Sequence, residues 1–491
     1  MWILSEAIAA VGGQLLGADQ AFTEVSTDSR VDCSGHLFIA LRGEHFDGHD
    51  HVAAAQAAGA VAAMVEHPLP LDLPQWVVAD TRLGLGQLAA AWRQRFAGRI
   101  IAITGSNGKT TVKEMLAAIL AQVGWVLATR GNLNNDIGMP LTLLSARTEE
   151  FLVLEMGANH PGEIGYLSRI AQPDVALITN AGHAHLEGFG SLDGVAAAKG
   201  EIAQGLSETG VLVVPGDVSY LELWRELAAG RQVVTFALDA PAEVSATTNS
   251  LRTIWDEAGF RTEFVAQKSL QLPVDQSPQT PFSKGGLSFS SFSKEGRGDS
   301  SPLWKRGAGG DLKITLHLAG AHNVRNALAA TAAALALGID DTAIYDGLAT
   351  LQPVKGRLYP RQGQTCAVID DTYNANPDSI AAAVAVLAQL DGRRWLVLGD
   401  LAELGEDAAQ LHEDVGRLTR AAGIEHLITV GTLSARASTA FGEGGRHFVD
   451  QAQLLAWLVP QLNAADRVLV KGSRSARMER IVNALCAEVE V

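Results

Sequence analysis

The segment Gly105-Ser106-Asn107-Gly108-Lys109-Thr110-Thr111 constrains this chain more than any other. It follows the apolar run Ile100-Ile101-Ala102-Ile103 and leads into a helix-like stretch from Thr111 to Val123. A glycine loop between a buried strand and a helix lets backbone N–H groups turn toward phosphate. Lys109 adds a point charge, and the Thr110 hydroxyl is a ligand of the right kind for Mg²⁺. The longer phosphate loop would want a further glycine at 103, where Ile103 stands, so this is a shortened variant. A loop of this kind belongs at the edge of a parallel sheet covered by helices, and the chain is expected to be α/β.

Further strands are predicted at Phe151 to Leu154, Val175 to Thr179 and Val211 to Val214. At 491 residues the chain is too long for one core, and a prior of about 150 residues per domain suggests three. The first is placed at 1–97, with helical stretches at Val52 to Val65 and Leu83 to Phe96. The second, 98–354, carries the glycine loop. The third, 355–491, repeats the alternation, with strands at Cys366 to Ile369, Trp395 to Leu398, His426 to Val430 and Val468 to Val470, as in a Rossmann-like sheet. Gln267 to Gly310 breaks the pattern. It is rich in Ser, Gly, Pro and Lys and holds three imperfect copies of one unit, PFSKGG, SFSKEG and PLWKRG. Such composition buries too little apolar surface to offset the entropy of ordering, so a disordered surface insertion is predicted.

The net charge of −16 argues against a large nucleic-acid footprint, which needs a basic face. Cys33, Cys366 and Cys486 form no CxxC pair, so neither a disulfide framework nor a thiolate zinc site is expected, and a reducing compartment fits. The N-terminus lacks the basic and apolar regions of a signal peptide, so a cytoplasmic location is expected. Apolar runs such as Ile380 to Leu390 are shorter than the ~20 residues a spanning helix needs, and no membrane span is predicted.

Three more positions bear on chemistry. Glu155 ends the strand Phe151 to Leu154, where its carboxylate would face the loop and hold a hard cation; the plainer reading is a surface glutamate. His183 and His185 form an HxH pair, which without further ligands at zinc spacing is weak evidence for a metal and reads more often as ordinary loop residues. Lys199, in AAAKGEIA, reads by itself as a solvated helix residue.

Taken together, GSNGKTT, LEMGANHPGEI and HLEGFGS followed by AKGEI resemble the Mur ligase family. The likeness extends over nearly the whole chain, through STDSR at Ser26, NLNNDIGMP at Asn132, GAHNVRN at Gly320, GRLYP at Gly356, DDTYNANPDS at Asp370, GDLAELG at Gly399 and KGSRSARME at Lys471. Within the family these segments are most like the branch that adds D-alanyl-D-alanine to a UDP-N-acetylmuramoyl-tripeptide.

The resemblance implies a three-domain ATP-dependent ligase that forms an amide through an acyl phosphate. Gly105, Ser106, Asn107, Gly108, Lys109, Thr110 and Thr111 would hold ATP, with Thr110 and Glu155 on one Mg²⁺. His185 would serve a second Mg²⁺, and Lys199 would act as a carbamate, because an ammonium is repelled by two cations whereas the CO₂ adduct is an anion. Lys109, His185 and Lys199 are thus the expected catalytic positions. Asn323 and Asn326 would lie near the adenine, Asp371 near the ribose, and Arg357 just after the hinge to the third domain. Thr27, Asp28, Ser29 and Arg30 would meet the uridine diphosphate, and hydroxyls beside an arginine suit a pyrophosphate, although without the resemblance a capped turn is the preferred reading. Asn134 and Asn135 would contact the sugar-peptide portion, and Tyr373 and Asn374 the domain junction. Lys471, Ser473 and Arg474 would help recognise peptide or D-alanyl-D-alanine, and a monomer is expected.

The sequence departs from the family pattern in the insertion and at Ala321, where the GxHN motif often has Arg. The alternatives are a sibling ligase or a folylpolyglutamate synthetase. A GTPase switch would need an NKxD segment where TNAGHAH stands. A non-catalytic UDP-sugar binder leaves Lys109, Glu155 and Lys199 without purpose.

Overall fold

In the computed structural model, residues 2–43, 45–182, 186–256, 259–270 and 308–486 are described. Four consecutive residues of the central sheet show how the fold is driven. Ile100 and Ala102 face one hydrophobic cluster, Ile101 and Ile103 another, and all four are fully buried. Side chains alternate across a strand, so a run that is apolar at every position requires cover on both faces. The strand Arg99–Thr104 has it, lying parallel between Phe151–Glu155 and Val175–Ile178.

From Phe151–Glu155 the sheet continues to Val126–Ala128; from Val175–Ile178 it continues through Val211–Pro215 and Gln232–Leu238 to Val244–Ala246, all in parallel. The chain therefore leaves Arg99–Thr104 first to one side and then to the other. The crevice beyond its carboxyl end is a topological switch point, the place where such sheets bind ligands. An antiparallel extension follows, in which Gly259–Leu270 pairs with Val244–Ala246, Arg252–Asp256 and Ala308–Leu316.

This extension corrects the margins of the predicted insertion. Gln267 to Leu270 pair in register with Asp311 to Ala308, so the polar flanks are strand ends held by the ladder. Ladder hydrogen bonds and the buried Ala266 and Leu312 beside them do not depend on the composition of the connecting segment. Residues 271–307, which hold the three copies of the short unit, lie outside the described residues.

The first sheet runs Gln14–Leu16, Gln75–Val77, Ala62–Val65, His36–Ile39, Glu24–Ser26. Here the helix expected from Val52 to Val65 proves to be two elements, the helix Val52–Ala57 and the strand Ala62–Val65. Gly59, at φ +100°, stops the helix, and the alanine-rich run that follows is taken into the sheet between His36–Ile39 and Gln75–Val77. Leu37, Met64 and Trp76 of this sheet share one hydrophobic cluster with Ile100 and Leu152 of the central one and with Met139 of the helix Gly138–Ser145.

The last sheet has the order Tyr359–Gln362, Ala367–Asp371, Asp466–Lys471, Arg393–Gly399, His426–Val430, Gly445–Phe448, parallel except at its first pair. It carries clusters of its own on both faces. Among the described residues no helix is long and apolar enough to cross a membrane.

Candidate active site

The glycine loop closes over the end of Arg99–Thr104 and opens the helix Lys109–Leu120, whose N-cap Gly108 has φ +83°. A side chain is excluded at two loop positions by contact as well as by conformation. A Cβ on Gly105, at φ +143°, would stand 1.9 Å from Thr179 Oγ1, and one on Gly108 would stand 2.4 Å from Asn326 Oδ1. Lys109 folds back so that Nζ donates to Gly105 O at 2.6 Å. Desolvation draws its ammonium below the usual lysine range; Glu155 opposes that shift and Arg357 adds to it.

Glu155 is the last residue of its strand and is paired in register with Ile103, which sets its carboxylate beside the loop. It is 3% exposed, so the surface reading does not hold. Thr110 Oγ1 donates to Oε2 and Asn134 Nδ2 to Oε1, both at 2.9 Å, while Thr129 Oγ1 accepts from the Glu155 N–H at 3.0 Å. Asn134 is thus placed on Glu155. Its neighbour Asn135 accepts through Oδ1 from Gly138 N at 2.9 Å, just before the helix Gly138–Ser145.

Lys199 lies in the helix Leu192–Gly200 and is 1% exposed, which overturns the solvated reading. Ala196 and Ala198 are buried with it, while Ala197 is exposed. Desolvation and, next, the Lys109 charge lower the Lys199 pKa to about 7. His185, like His183, lies outside the described residues.

The third sheet closes the far wall. Asp371 and Lys471 end adjacent parallel strands in register, and Nζ donates to Oδ2 at 2.6 Å and to Asn374 O at 3.0 Å. Asp371 Oδ1 also accepts from Leu358 N at 3.1 Å. Lys471, expected to help recognise peptide or D-alanyl-D-alanine, lines the cavity and braces Asp371. Arg357 spans the two units: it donates to Thr110 Oγ1 at 2.9 Å and stacks on Tyr373 with its guanidinium carbon 4.3 Å from the ring centre. Between these walls lies a cavity of about 550 Å³, lined by the loop, Glu155, Asn323, Asn326, Arg357, Asp371 and Tyr373. Asn326 donates to Asn323 Oδ1 at 3.2 Å, and Asn323 to Ala319 O at 2.8 Å, so both amides are fixed on the buried helix Ala321–Ala336.

Other expected positions lie apart from this cavity. Ser473 is buried and donates to Asp400 O at 2.7 Å, and the exposed Arg474 stands 3.9 Å from Glu479; neither lines the cavity. Asp28 and Arg30 form an exposed ion pair at 2.8 Å after the strand Glu24–Ser26, beside the half-buried Thr27 and Ser29, and the arginine's hydrogen bonds hold the carboxyl at about 2. Sequence reasoning missed His322, which lines the cavity and is held at about 4 by desolvation and Lys471. It also missed Thr179 and Asn180, whose side chains grip the Asn107 backbone. A hydroxyl and an amide after a buried strand were the available signal.

The cavity fits a nucleotide and a hard cation by its donor set. Lys109, Arg325, Arg357 and Lys471 line it beside the glycine loop that opens a helix, the buried Glu155 carboxylate meets the Thr110 hydroxyl, and Arg357 Nε is buried with no hydrogen-bond partner among the described residues. Comparison with known proteins agrees. Residues 103–276 match the Mur ligase middle domain, residues 356–474 the glutamate ligase domain of Mur ligases, and residues 21–93 the Mur ligase family catalytic domain. The chain is 43% identical over 488 residues to UDP-N-acetylmuramoyl-tripeptide--D-alanyl-D-alanine ligase of Escherichia coli (strain K12), covering 98% of each chain. It is 34% identical to the enzyme of that name from Bacillus subtilis (strain 168), covering 94% of this chain and 92% of that one. The crystal structure of MurF from Acinetobacter baumannii superposes with a TM-score of 0.84 at 37% identity, covering 99% of this chain and 98% of that chain. MurF ligase from Thermotoga maritima in complex with ADP gives 0.76 at 26% identity, covering 94% and 96%. With relatives this similar over almost their full length, and with the loop at the switch point of the same sheet, the chain belongs to the Mur ligase family.

Proposed function

We propose that this chain joins D-alanyl-D-alanine to the terminal carboxylate of UDP-N-acetylmuramoyl-tripeptide, consuming ATP and releasing ADP and phosphate, as a step of peptidoglycan precursor synthesis. The observation that carries the reading is the union of the phosphate loop, the buried Thr110–Glu155 pair and Arg357 at one crevice, in a chain whose full length follows the ligases of that name. The tripeptide carboxylate attacks the γ-phosphorus of ATP, the bond to the bridging oxygen breaks, and ADP leaves. The neutral amine of D-alanyl-D-alanine then attacks the acyl carbon, phosphate leaves, and the nitrogen gives up a proton. Neither step needs a protein nucleophile, so the protein contributes position and charge.

Lys109 and the loop amides would hold the β- and γ-phosphates, and Arg357 would complete the anion cradle from the third sheet. Thr110 and Glu155 would hold Mg²⁺, which when bound neutralises charge on the transferring phosphoryl group. Asn134 fixes the outer oxygen of Glu155, a support that keeps its carboxylate aimed. Asp371, braced by Lys471, would meet the ribose, and Asn323 and Asn326 the adenine. Lys199 would be carbamylated. With its pKa near 7 much of the side chain is the free amine at neutral pH, the form whose lone pair adds to CO₂. The new N–C bond forms, one proton leaves, and the product is an anion. His185 would assist it at a second ion, and the Asp28–Arg30 turn would receive the uridine diphosphate. The chain's use of ATP and a nucleotide-linked precursor places the reaction in the cytoplasm.

The test is a coupled assay of ADP release. With UDP-N-acetylmuramoyl-tripeptide and D-alanyl-D-alanine together, sustained release is expected, and release should fall to background when either is omitted. Sustained release with a folate and glutamate instead would replace this reading by the folylpolyglutamate one.

A further inference from the structure

Asn107 of the glycine loop lines the cavity, and its side chain is committed to a contact across it. The Asn107 N–H is taken by Asn180 Oδ1 at 2.9 Å, and its carbonyl accepts from Thr179 Oγ1 at 2.5 Å and Asn180 Nδ2 at 3.1 Å. Its side-chain oxygen accepts from Asn376 Nδ2 at 2.9 Å, across the junction between the central and third units. Asn376 is at the same time the N-cap of the helix Pro377–Ala388. Its Oδ1 accepts from Ser379 N at 2.9 Å, and its own N–H donates to Ser379 Oγ at 3.0 Å, a reciprocal capping box with Pro377 at the first helical position. Both ends of the Asn376 amide are therefore committed, one to its own helix and one to the loop. Asp378 and Ser379 of the same turn line the cavity, and a Cβ on Gly182 would lie 2.5 Å from Asp378 Oδ2, so this helix start sits directly against the loop and the segment beside it.

We propose that Asn376 is a positioning residue that couples docking of the third unit to the shape of the phosphate loop, acting through Asn107. The proposal rests on the assignment of residues 105–111 as that loop. Asn107 has no backbone group left for a phosphate in this arrangement and is a strut. It is tied on one side to the strand end at Thr179 and Asn180 and on the other to the helix that arrives with the third unit. When that unit swings away the Asn107 amide loses its partner, and the loop loses one of the bonds that fix its tip. Asn376 itself lines the cavity, and turnover then depends on it through its contact with Asn107.

Serine at 376 separates the two tasks, because it is an equally good N-cap and too short to reach Asn107. Asn107→Ala removes the same bond from the other side without touching the helix. Each single variant is expected to lower kcat/KM for ATP about fivefold, the worth of one neutral hydrogen bond, with an unchanged melting temperature. In the double variant the loss should stay at about fivefold, where independent effects would multiply to ~25-fold. Multiplying losses would overturn the coupling, as would an Asn376→Ser enzyme with wild-type kinetics. A drop in melting temperature together with multiplying losses would assign Asn376 to helix capping alone. Lys109→Ala measured alongside keeps the two readings apart: if it still releases ADP at the normal rate, the phosphate-loop assignment fails, whereas the cycle between 107 and 376 reports the coupling in either case.

Discussion

Replacing Lys199 by methionine is expected to stabilise the metal-free protein while abolishing turnover. The side chain is 1% exposed, and its pKa falls from the usual 10.5 to about 7, chiefly by desolvation. At ~1.4 kcal/mol per pH unit, that span from 10.5 to about 7 corresponds to a burial cost on the order of 3 to 5 kcal/mol for the ammonium. Below about pH 7 the lysine is charged in both the folded and unfolded states, and the folded protein bears the whole cost. Between about 7 and 10.5 the unfolded chain keeps its proton and the folded one releases it. Stability of the wild type therefore rises with pH through that window. Methionine, of similar length and without charge, escapes the cost at every pH. In CO₂-free buffer with a chelator, urea unfolding should show the variant more stable by several kcal/mol at pH 6, with the gap narrowing steadily up to pH 10. Trp224 is a suitable reporter, being fully buried against the same helix with Nε1 donating to Ala196 O at 2.9 Å. Equal stability at pH 6, or a gap independent of pH, would refute the argument that Lys199 is held against its own desolvation.

Four further outcomes follow from the same site. Lys199→Ala should lose nearly all turnover, and formate or acetate should partly restore it where chloride at equal ionic strength does not; wild-type turnover would rule out the carbamate. Lys109→Ala should fold normally, by circular dichroism and melting, yet release ADP at less than about a hundredth of the normal rate, since a charge that stabilises the transferring group is typically worth 10²- to 10³-fold. Gly105→Ala should cost about 2 to 3 kcal/mol in chemical unfolding, because the new Cβ meets both a left-handed backbone and Thr179 Oγ1. Joining Leu270 to Ala308 by a short Gly-Ser turn should keep ligase activity within about twofold, because these two residues are already register partners at the end of a ladder.

Four parallel strands of the central sheet were legible because each carries an unbroken apolar run, and the loop at residues 105–111 because glycine and lysine spacing at a strand end has a chemical reason, whereas Val126–Ala128, Gln232–Leu238, Val244–Ala246 and the antiparallel extension, short or mixed with polar residues, were not predicted. Val52 to Val65 was misread because alanine suits a buried strand as well as a helix, and only the packing beside His36–Ile39 decides between them. Burial of Lys199 left no mark in its own neighbourhood: an Ala-Lys-Gly segment looks the same whether its face meets water or a sheet. The Asp371–Lys471 pair and the Asn107–Asn376 contact join residues far apart in the chain, so strand register and unit docking had to be known first.

The cluster that runs from Leu37, Met64 and Trp76 into Ile100, Met139 and Leu152 has a consequence for how this enzyme can be taken apart. A fragment beginning near Arg99 would keep every phosphate-binding group and still present a raw apolar face where the first sheet had been. Swapping that first sheet for a relative's would graft a new substrate lobe onto a mismatched jigsaw, unless the inward-facing side chains travelled with it. Change in what the lobe recognises is thereby steered to its outer turns, such as Thr27 to Arg30, where substitution costs the shared interior nothing.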